Sequence, residues 1–325
     1  MNILLIRLKS IGDVVLTLPA VNVIRDNFPS AKVTFLVSKE NAPLLAGFRE
    51  VNEVIPLDRA EFRSGNPLKV IPLLFSLLRR LRTGKFDLVV DFQGFGETAW
   101  LARLTGAPRR WGSVYGRGRK WAYTLGVTRD NALHHVERSL AILRAGGLAT
   151  AKPRNTFDLP PAARAAALDF LQKKHFDPAR PILFIQPFTS SQHKNWLLGN
   201  YLAVAQCWQA VGGQVVFGGG PGDRARLELA LEGRFITAAG VPLLVSGGLM
   251  QRSRLVLGGD TGVLHLAVAL GRRVVMLMDS TGPGRAFPFQ HPDWALTPPA
   301  VDSVSAITVS DVMAACERAL ADPSG

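Results

Sequence analysis

A chain of 325 residues that is 47% hydrophobic and 19% charged is long enough for two cores and too apolar to be disordered. Its formal charge of +13 is uneven: residues 1–150 carry 22 Lys and Arg against 12 Asp and Glu (net +10), and residues 151–325 carry 16 against 13 (net +3). That points the first half at an anionic partner, whether nucleic acid, an acidic membrane face or a phosphorylated substrate, while two cysteines, Cys207 and Cys316, are too few for a disulfide framework and read as core fillers.

The opening residues, Met1 to Ile6, read as a strand and not as a signal peptide, having no basic leader and no cleavage site. No apolar run approaches the roughly 20 residues of a membrane span, so a soluble, cytoplasmic protein is expected. Residues 2–7 are apolar enough to be buried on both faces. A helix is predicted from Gly12-Asp13 past Pro19 to Asn27. Asp13 then stands at the C-terminal edge of the first strand, where open α/β sheets bind ligands, although a residue balancing the helix dipole fits equally. Further strands are predicted at 32–37, 54–57 and 87–92, the last preceded by a helix ending at Arg82. This alternation predicts a doubly wound parallel sheet.

The helix over 68–82 is apolar with a cationic end. It fits a packing helix whose charges suit its dipole, or one lying on an anionic membrane surface. Beyond it, Arg103, Arg109, Arg110, Arg117, Arg119 and Lys120 interleave with Trp111, Tyr115 and Trp121. Glycines at 112, 116 and 118 predict a loop there, suited to RNA, phosphorylated lipid or sugar phosphates. His134 and His135 lack partners at metal-ligand spacing and precede a helix at 136–144.

Residues 152–161 form a Pro-rich linker. A helix at 162–174, a buried strand at 181–187 and a helix at 198–210 follow. Thr189, Ser190, Ser191 and Lys194 lie between that strand and that helix, a grouping that favours phosphate. After a strand at 214–217, Gly218 to Gly222 leads to Asp223, which could accept ribose hydroxyls. Apolar triplets 243–245 and 255–257 bracket a short helix around 249–253. Then Gly259-Asp260-Thr261-Gly262 opens a helix over 263–270, with His265 on the same side of the first turn as Thr261. Its unpaired backbone N–H groups suit phosphate, although a turn in which Asp260 only caps a helix has the same pattern. A strand at 274–278, a Gly/Pro-rich loop at 280–299 and a helix at about 310–320 complete the chain.

Loops 189–196, 218–224 and 259–265 all follow strands, and their convergence on one sheet edge is the strongest argument for a nucleotide diphosphate site. A phosphate-loop ATPase is excluded by the missing Gly-x-x-x-x-Gly-Lys-[Ser/Thr]. No Gly-x-Gly-x-x-Gly follows the first strand, and no Asp-x-Asp follows any strand. Two Rossmann-like sheets without an RNA-binding module argue against nucleic acid.

With Ile6 to Ala20 (IRLKSIGDVVLTLPA), Lys194-Asn195-Trp196, Gly219-Gly220-Pro221 and Gly259 to Ala267 (GDTGVLHLA) in that order, the chain resembles the ADP-heptose:lipopolysaccharide heptosyltransferases over nearly its whole length. The resemblance implies an α/β GT-B fold. Two Rossmann-like domains would face across a cleft, residues 1–155 binding acceptor and 156–325 binding nucleotide-sugar, and the last helix could pack back on the first. It implies an inverting glycosyltransferase that moves a heptose from ADP-heptose to a hydroxyl of the lipopolysaccharide inner core. Asp13 matches the general base. Thr189, Ser190, Lys194, Asp260, Thr261, Gly262 and His265 match donor contacts, and Asp223 stands where members often carry a Glu that holds ribose. Arg109, Arg110, Arg117, Arg119 and Lys120 would meet the anionic, lipid A-Kdo type acceptor. Arg285, in a segment that departs from the family's versions, would add a phosphate or sugar contact. No metal, cofactor or nucleic acid is expected, and the acceptor implies peripheral contact with the cytoplasmic face of the inner membrane. The alternatives are another GT-B enzyme, such as a UDP-sugar transferase or a 2-epimerase, and a non-catalytic paralogue that binds an ADP-sugar.

Overall fold

The computed structural model describes residues 1–115, 117–150, 152–280, 286–299 and 303–321, with Arg117 described by its backbone alone. The chain divides into two compact units, Met1–Asn155 and Thr156–Gly325.

In the first unit six parallel strands form one sheet: β1 Asn2–Ile6, β2 Lys32–Ser38, β3 Glu53–Leu57, β4 Leu88–Asp91, β5 Arg109–Val114 and β6 Leu125–Thr128. Their order is β3-β2-β1-β4-β5-β6. Ile3, Leu4, Leu5 and Ile6 are all fully buried, because helices cover both faces of the sheet. Ile6, the last residue of β1, pairs with Leu36 on one side and Asp91 on the other. The winding reverses between β1 and β4, so the chain leaves these two strands in opposite directions and opens a crevice beyond their C-terminal ends. The covering helices are α1 Ile11–Val15, α2 Leu18–Asn27, α3 Arg59–Arg63, α4 Pro67–Thr83, α5 Gly96–Leu104 and α6 His135–Ala145.

Two local expectations change. The single helix predicted from residue 12 to 27 is broken into α1 and α2, and Pro19 falls in the first turn of α2, where its missing N–H leaves no helical bond unmade. Residues 109–114, expected to be loop because of their glycine, are the strand β5. Gly112 is needed for close approach, since a Cβ there would come 2.3 Å from the Tyr123 ring.

Gly94, just beyond β4, has φ +71° and its Cβ would meet the Ser113 carbonyl oxygen at 2.1 Å. Gly94→Ala therefore combines left-handed strain with a backbone clash, together at least ~2 kcal/mol. Thermal unfolding should show the variant's midpoint lowered by about 4 °C or more. An unchanged midpoint would mean that β5 moves aside without cost.

The second unit repeats the plan with β7 Ile182–Gln186, β8 Gln214–Phe217, β9 Ile236–Thr237, β10 Leu255–Gly259, β11 Val274–Leu277 and β12 Ala295–Leu296, ordered β12-β11-β10-β7-β8-β9. The reversal lies between β7 and β10. Helices α7 Pro161–Lys173, α8 Leu198–Ala210, α9 Arg224–Leu231, α10 Leu243–Arg252, α11 Gly262–Ala269 and a last helix, α12, over Val309–Ala321 surround the sheet. Leu243 to Val245, apolar enough to pass for a strand, is the first turn of α10. That helix packs on α7 through small residues, with Gly248 against Ala167 and the Ala163 carbonyl. Within its unit the last helix, α12, lies on α8, β10 and β11, burying Val312 and Cys316. Burial pushes the Cys316 thiol up to about 12. Cys207, by contrast, is exposed and fills no core. Among the described residues no helix is long and apolar enough to cross a membrane.

Candidate active site

In the first unit the segment after β1 curls over the crevice. Arg7, nearly buried, donates through Nη1 to the Phe92 carbonyl beyond β4 (2.6 Å), and its Nη2 lies 2.6 Å from Asp13 Oδ1. One guanidinium thus ties the ends of both central strands to the carboxylate. The Ser10 amide donates to Asp13 Oδ2 at 3.0 Å, and His135 Nδ1, at the start of α6, lies 3.2 Å from Oδ1. Burial works to raise the Asp13 pKa, but Arg7, His135 and the Ser10 amide outweigh it and hold the carboxyl well below the usual range.

The facing wall is built by Asp91, the last residue of β4. Fully buried, it accepts from the Gln93 and Gly94 amides (2.9 and 3.0 Å) and from the Tyr123 hydroxyl (2.6 Å). Its burial pushes its pKa up. This anchor fixes Gln93, whose Oε1 accepts from the Leu8 and Lys9 amides at 2.9 and 3.3 Å. A cavity of about 360 Å³ opens over Asp13, with Arg7, Lys9, Arg129 and His135 among its walls and Phe95 and Tyr115 as its apolar side. Arg129 lies 4.7 Å from the centre of the Tyr115 ring. Three cationic side chains, Arg7, Lys9 and Arg129, thus stand around one carboxylate.

Of the expected cations whose side chains are described, only Arg119 stands beside this pocket, donating to the Gly94 carbonyl at 3.0 Å and lying 5.8 Å from the Tyr115 ring centre. Lys120 is exposed. Arg109 and Arg110 begin β5 and so stand at the opposite sheet edge, where their guanidinium groups bond backbone carbonyls: Asp87 for Arg109, Ala107 and Ala122 for Arg110. The side chain of Arg117 and the whole of Arg285 lie outside the described residues. Arg7, Lys9, Arg129 and His135 are pocket residues that the sequence does not single out. Arg7, Lys9 and Arg129 follow the C-terminal end of a strand within a few positions, which was the available signal. A second cavity, about 300 Å³, opens at the far edge, where Lys32 and Arg80 are both engaged by one carboxylate, Glu53, at 2.9 and 3.0 Å.

In the second unit the loop after β7 and the end of β10 meet. The double glycine makes this possible: a Cβ on Gly258 would come 2.5 Å from the Gln186 carbonyl oxygen, and one on Gly259 would come 2.9 Å from that of Lys194. The approach places Lys194 Nζ 2.5 Å from Asp260 Oδ2, with His265 Nε2 3.3 Å from Oδ1. The buried His265 Nδ1 has no hydrogen-bond partner among the described residues. Thr261 is the N-cap of α11, yet its side chain makes no capping bond. Its hydroxyl and the first amides of the helix, starting with Gly262, are thus open to an anion. Thr189 is turned inward: its hydroxyl donates to the Ser191 carbonyl at 2.8 Å, and its amide donates to Asn195 Oδ1 at 2.8 Å. Ser190 is exposed at the loop's tip. Asp223, after β8, accepts from the Gly220 amide at 2.8 Å and closes its own turn.

Burial tends to raise the Asp260 pKa, but His265 and Lys194 prevail and hold it at about 2, below its ordinary 3.8. A carboxylate depressed by folding contributes stability above its unfolded pKa that fades as pH falls through the folded one. About 2 kcal/mol of the second unit's stability should therefore disappear between roughly pH 4 and pH 2. Denaturant titrations across that window should give a shallower acid loss for Asp260→Asn than for the wild type; parallel curves would reject the assignment. Among the described residues no group of three or more His, Cys, Asp or Glu could hold a metal ion.

Residues 74–298 match glycosyltransferase family 9 (heptosyltransferase). Lipopolysaccharide heptosyltransferase 3 of Escherichia coli is 24% identical over 283 residues, which cover 83% of this chain and 81% of that protein. The glycosyl transferase family 9 structure from Veillonella parvula DSM 2008 superposes with a TM-score of 0.88 at 21% identity, over 98% of this chain and 97% of its own. The E. coli heptosyltransferase WaaC, solved with ADP and with ADP-2-deoxy-2-fluoro heptose, superposes with TM-scores of 0.78 and 0.76 at 20% and 21% identity. Both comparisons cover 98% of this chain and 100% and 99% of WaaC. The expected GT-B fold is borne out by these superpositions.

Proposed function

The chain belongs to glycosyltransferase family 9 (heptosyltransferase), and from that premise we propose that it transfers a heptose from ADP-heptose to a hydroxyl of the lipopolysaccharide inner core, with inversion. The observation that carries the reading is Asp13, an ionised carboxylate beside a cation-lined cavity at the reversal of the first sheet. The ADP-containing complexes of WaaC support the donor.

In this reading the first unit binds the acceptor. Arg7, Lys9 and Arg129 face its acidic groups while Asp13 receives the proton of the attacking hydroxyl. Asp13 Oδ2 accepts the Ser10 amide and keeps a lone pair for that proton. A carboxylate with so low a pKa is a weak base toward a resting hydroxyl. The transfer therefore belongs late, once the oxygen has begun to bond the anomeric carbon and its proton has become acidic. The oxygen attacks opposite the diphosphate, the anomeric C–O bond breaks, and its electron pair leaves with ADP. On the second unit Lys194, the Thr261 hydroxyl and the N-terminus of α11 would receive that negative charge. Asp260 and His265 hold Lys194 and the turn in place. The ADP-sugar is consumed as a substrate, so no cofactor enters. The acceptor is lipid-anchored, which puts the enzyme peripherally at the cytoplasmic face of the inner membrane.

Purified protein incubated with ADP-heptose and a Kdo-bearing lipid A should yield an acceptor heavier by one heptose unit, read by mass spectrometry. Calorimetry should show ADP bound in preference to UDP. A UDP preference, or an unchanged acceptor despite ADP binding, would move the protein to another donor or to a non-catalytic role.

A further inference from the structure

Helix α4 is apolar on the wrong side. Its buried stripe is short, with only Leu77 and Leu81 held against the first unit. On the opposite stripe Leu68 is 84% exposed, Ile71 64% and Phe75 70%. Helical geometry puts Arg79 and Arg82 on that same outer stripe, one to two turns beyond Phe75. Arg80 is paired with Glu53 at 3.0 Å, whereas no carboxylate among the described residues pairs with Arg79 or Arg82. The helix contains no acidic residue. The adjoining α5 carries Trp100, 58% exposed, its ring tilted at 59° against Trp121 with ring centres 4.5 Å apart.

We propose that the outer stripe of α4 is a docking surface for an anionic lipid bilayer, entering the headgroup layer with Leu68, Ile71 and Phe75 while Arg79 and Arg82 meet lipid phosphates. An apolar stripe of this kind on a soluble unit marks an interaction site. The arginines choose the occupant. A second copy of α4 would bring the same cations and no acidic group to meet them, whereas an anionic headgroup layer supplies apolar depth and negative charge together. Long arginine stems can also lie along the acyl boundary while their heads stay at the phosphates. The +10 charge of residues 1–150 adds long-range attraction to the same surface. The proposal deepens the functional reading by naming the face presented to the membrane that holds the acceptor, but its geometry rests on α4 alone.

The test is co-sedimentation of the full chain with vesicles of phosphatidylcholine containing phosphatidylglycerol, and with phosphatidylcholine alone. Binding should favour the anionic vesicles and weaken with salt. Ile71→Glu with Phe75→Glu should lower the partition coefficient at least tenfold. Arg79→Gln and Arg82→Gln should each lower it about fivefold on anionic vesicles only. All four side chains are exposed, so melting temperature and ADP binding should be unchanged. Equal partitioning of the wild type and the Ile71/Phe75 double variant overturns the proposal. So does a wild-type dimer, seen by sedimentation velocity, that the double variant abolishes. Turnover on a delipidated, water-soluble acceptor separates the two readings. Turnover without vesicle binding sinks the docking surface and leaves the function standing, and vesicle binding without turnover does the reverse.

Discussion

Asp13→Asn should lower kcat by about 10³-fold, with ADP affinity held within about twofold. Asparagine keeps the shape and can still accept the Ser10 amide through its oxygen, so the start of α1 should survive. What it lacks is the charge that would receive the acceptor's proton. Single-turnover kinetics with saturating donor would read the chemical step directly. The substitution also leaves Arg7 nearly buried beside a neutral group, so some loss of stability is expected. Melting temperature must therefore be measured in parallel, and Asp13→Glu provides the control that keeps the charge but displaces it. A fall in kcat of less than tenfold in Asp13→Asn would return the residue to its structural role at the beginning of the helix. The pH profile offers a second reading. Because Asp13 is held ionised far below the usual carboxylate range, its titration should not produce an acid limb above about pH 4. An acid limb near neutrality that persists in Asp13→Glu would have to come from another group.

Lys194→Ala should weaken ADP about tenfold to thirtyfold and lower kcat by about 10²-fold, because a charge-assisted contact to the diphosphate is lost in the ground state and more strongly as the leaving group develops charge. Lys194 is one-third exposed and sits on a loop braced by Thr189, Ser191 and Asn195, so the backbone should not follow the side chain. Calorimetry with ADP and with AMP would show where the contact falls. A loss confined to ADP marks the second phosphate, and an equal loss for both marks the first. Unaltered affinity for both nucleotides would remove Lys194 from the donor site. Lys194→Arg should recover only part of the loss, since a planar fork replaces a compact ammonium.

The strand ends were readable in the sequence because each carries its signal locally. Asp13 follows a buried run by a few residues, and Gly259-Asp260-Thr261-Gly262 announces a turn and a helix start within four positions. The pairing of Lys194 with Asp260 was not readable as a contact. The residues are 66 apart, and they meet because β7 and β10 are neighbours, a property of the sheet and not of either loop. The same limit explains the arginines. Composition places Arg109, Arg110, Arg119 and Lys120 in one cluster, but a strand runs through it and carries its two ends to opposite edges of the sheet. Arg7, Lys9 and Arg129 look unremarkable as isolated cations and become a pocket only when β1, β4, β5 and β6 lie side by side. Gly112 misled for a physical reason too, since a glycine that admits a tyrosine ring is indistinguishable by type from one that makes a bend. Helix α4 shows the gain from structure most plainly. The sequence offered packing or a lipid surface, and the structure shows one helix with Leu77 and Leu81 packed and Leu68, Ile71 and Phe75 bare.

The resting ion pair on the second unit has a consequence for selectivity. Lys194 already holds a counter-ion in Asp260, so an arriving anion competes for a cation already engaged. Binding is an ion exchange, and its net gain is the difference between the new pair and the old one. A singly charged anion offers Lys194 little that Asp260 does not. On the proposed donor site a diphosphate would bring two phosphate groups and could engage the amides of α11 as well, so the balance would tip only for ligands with both the charge and the span. On product release Asp260 would take the cation back, so the ammonium would keep a partner in the empty site.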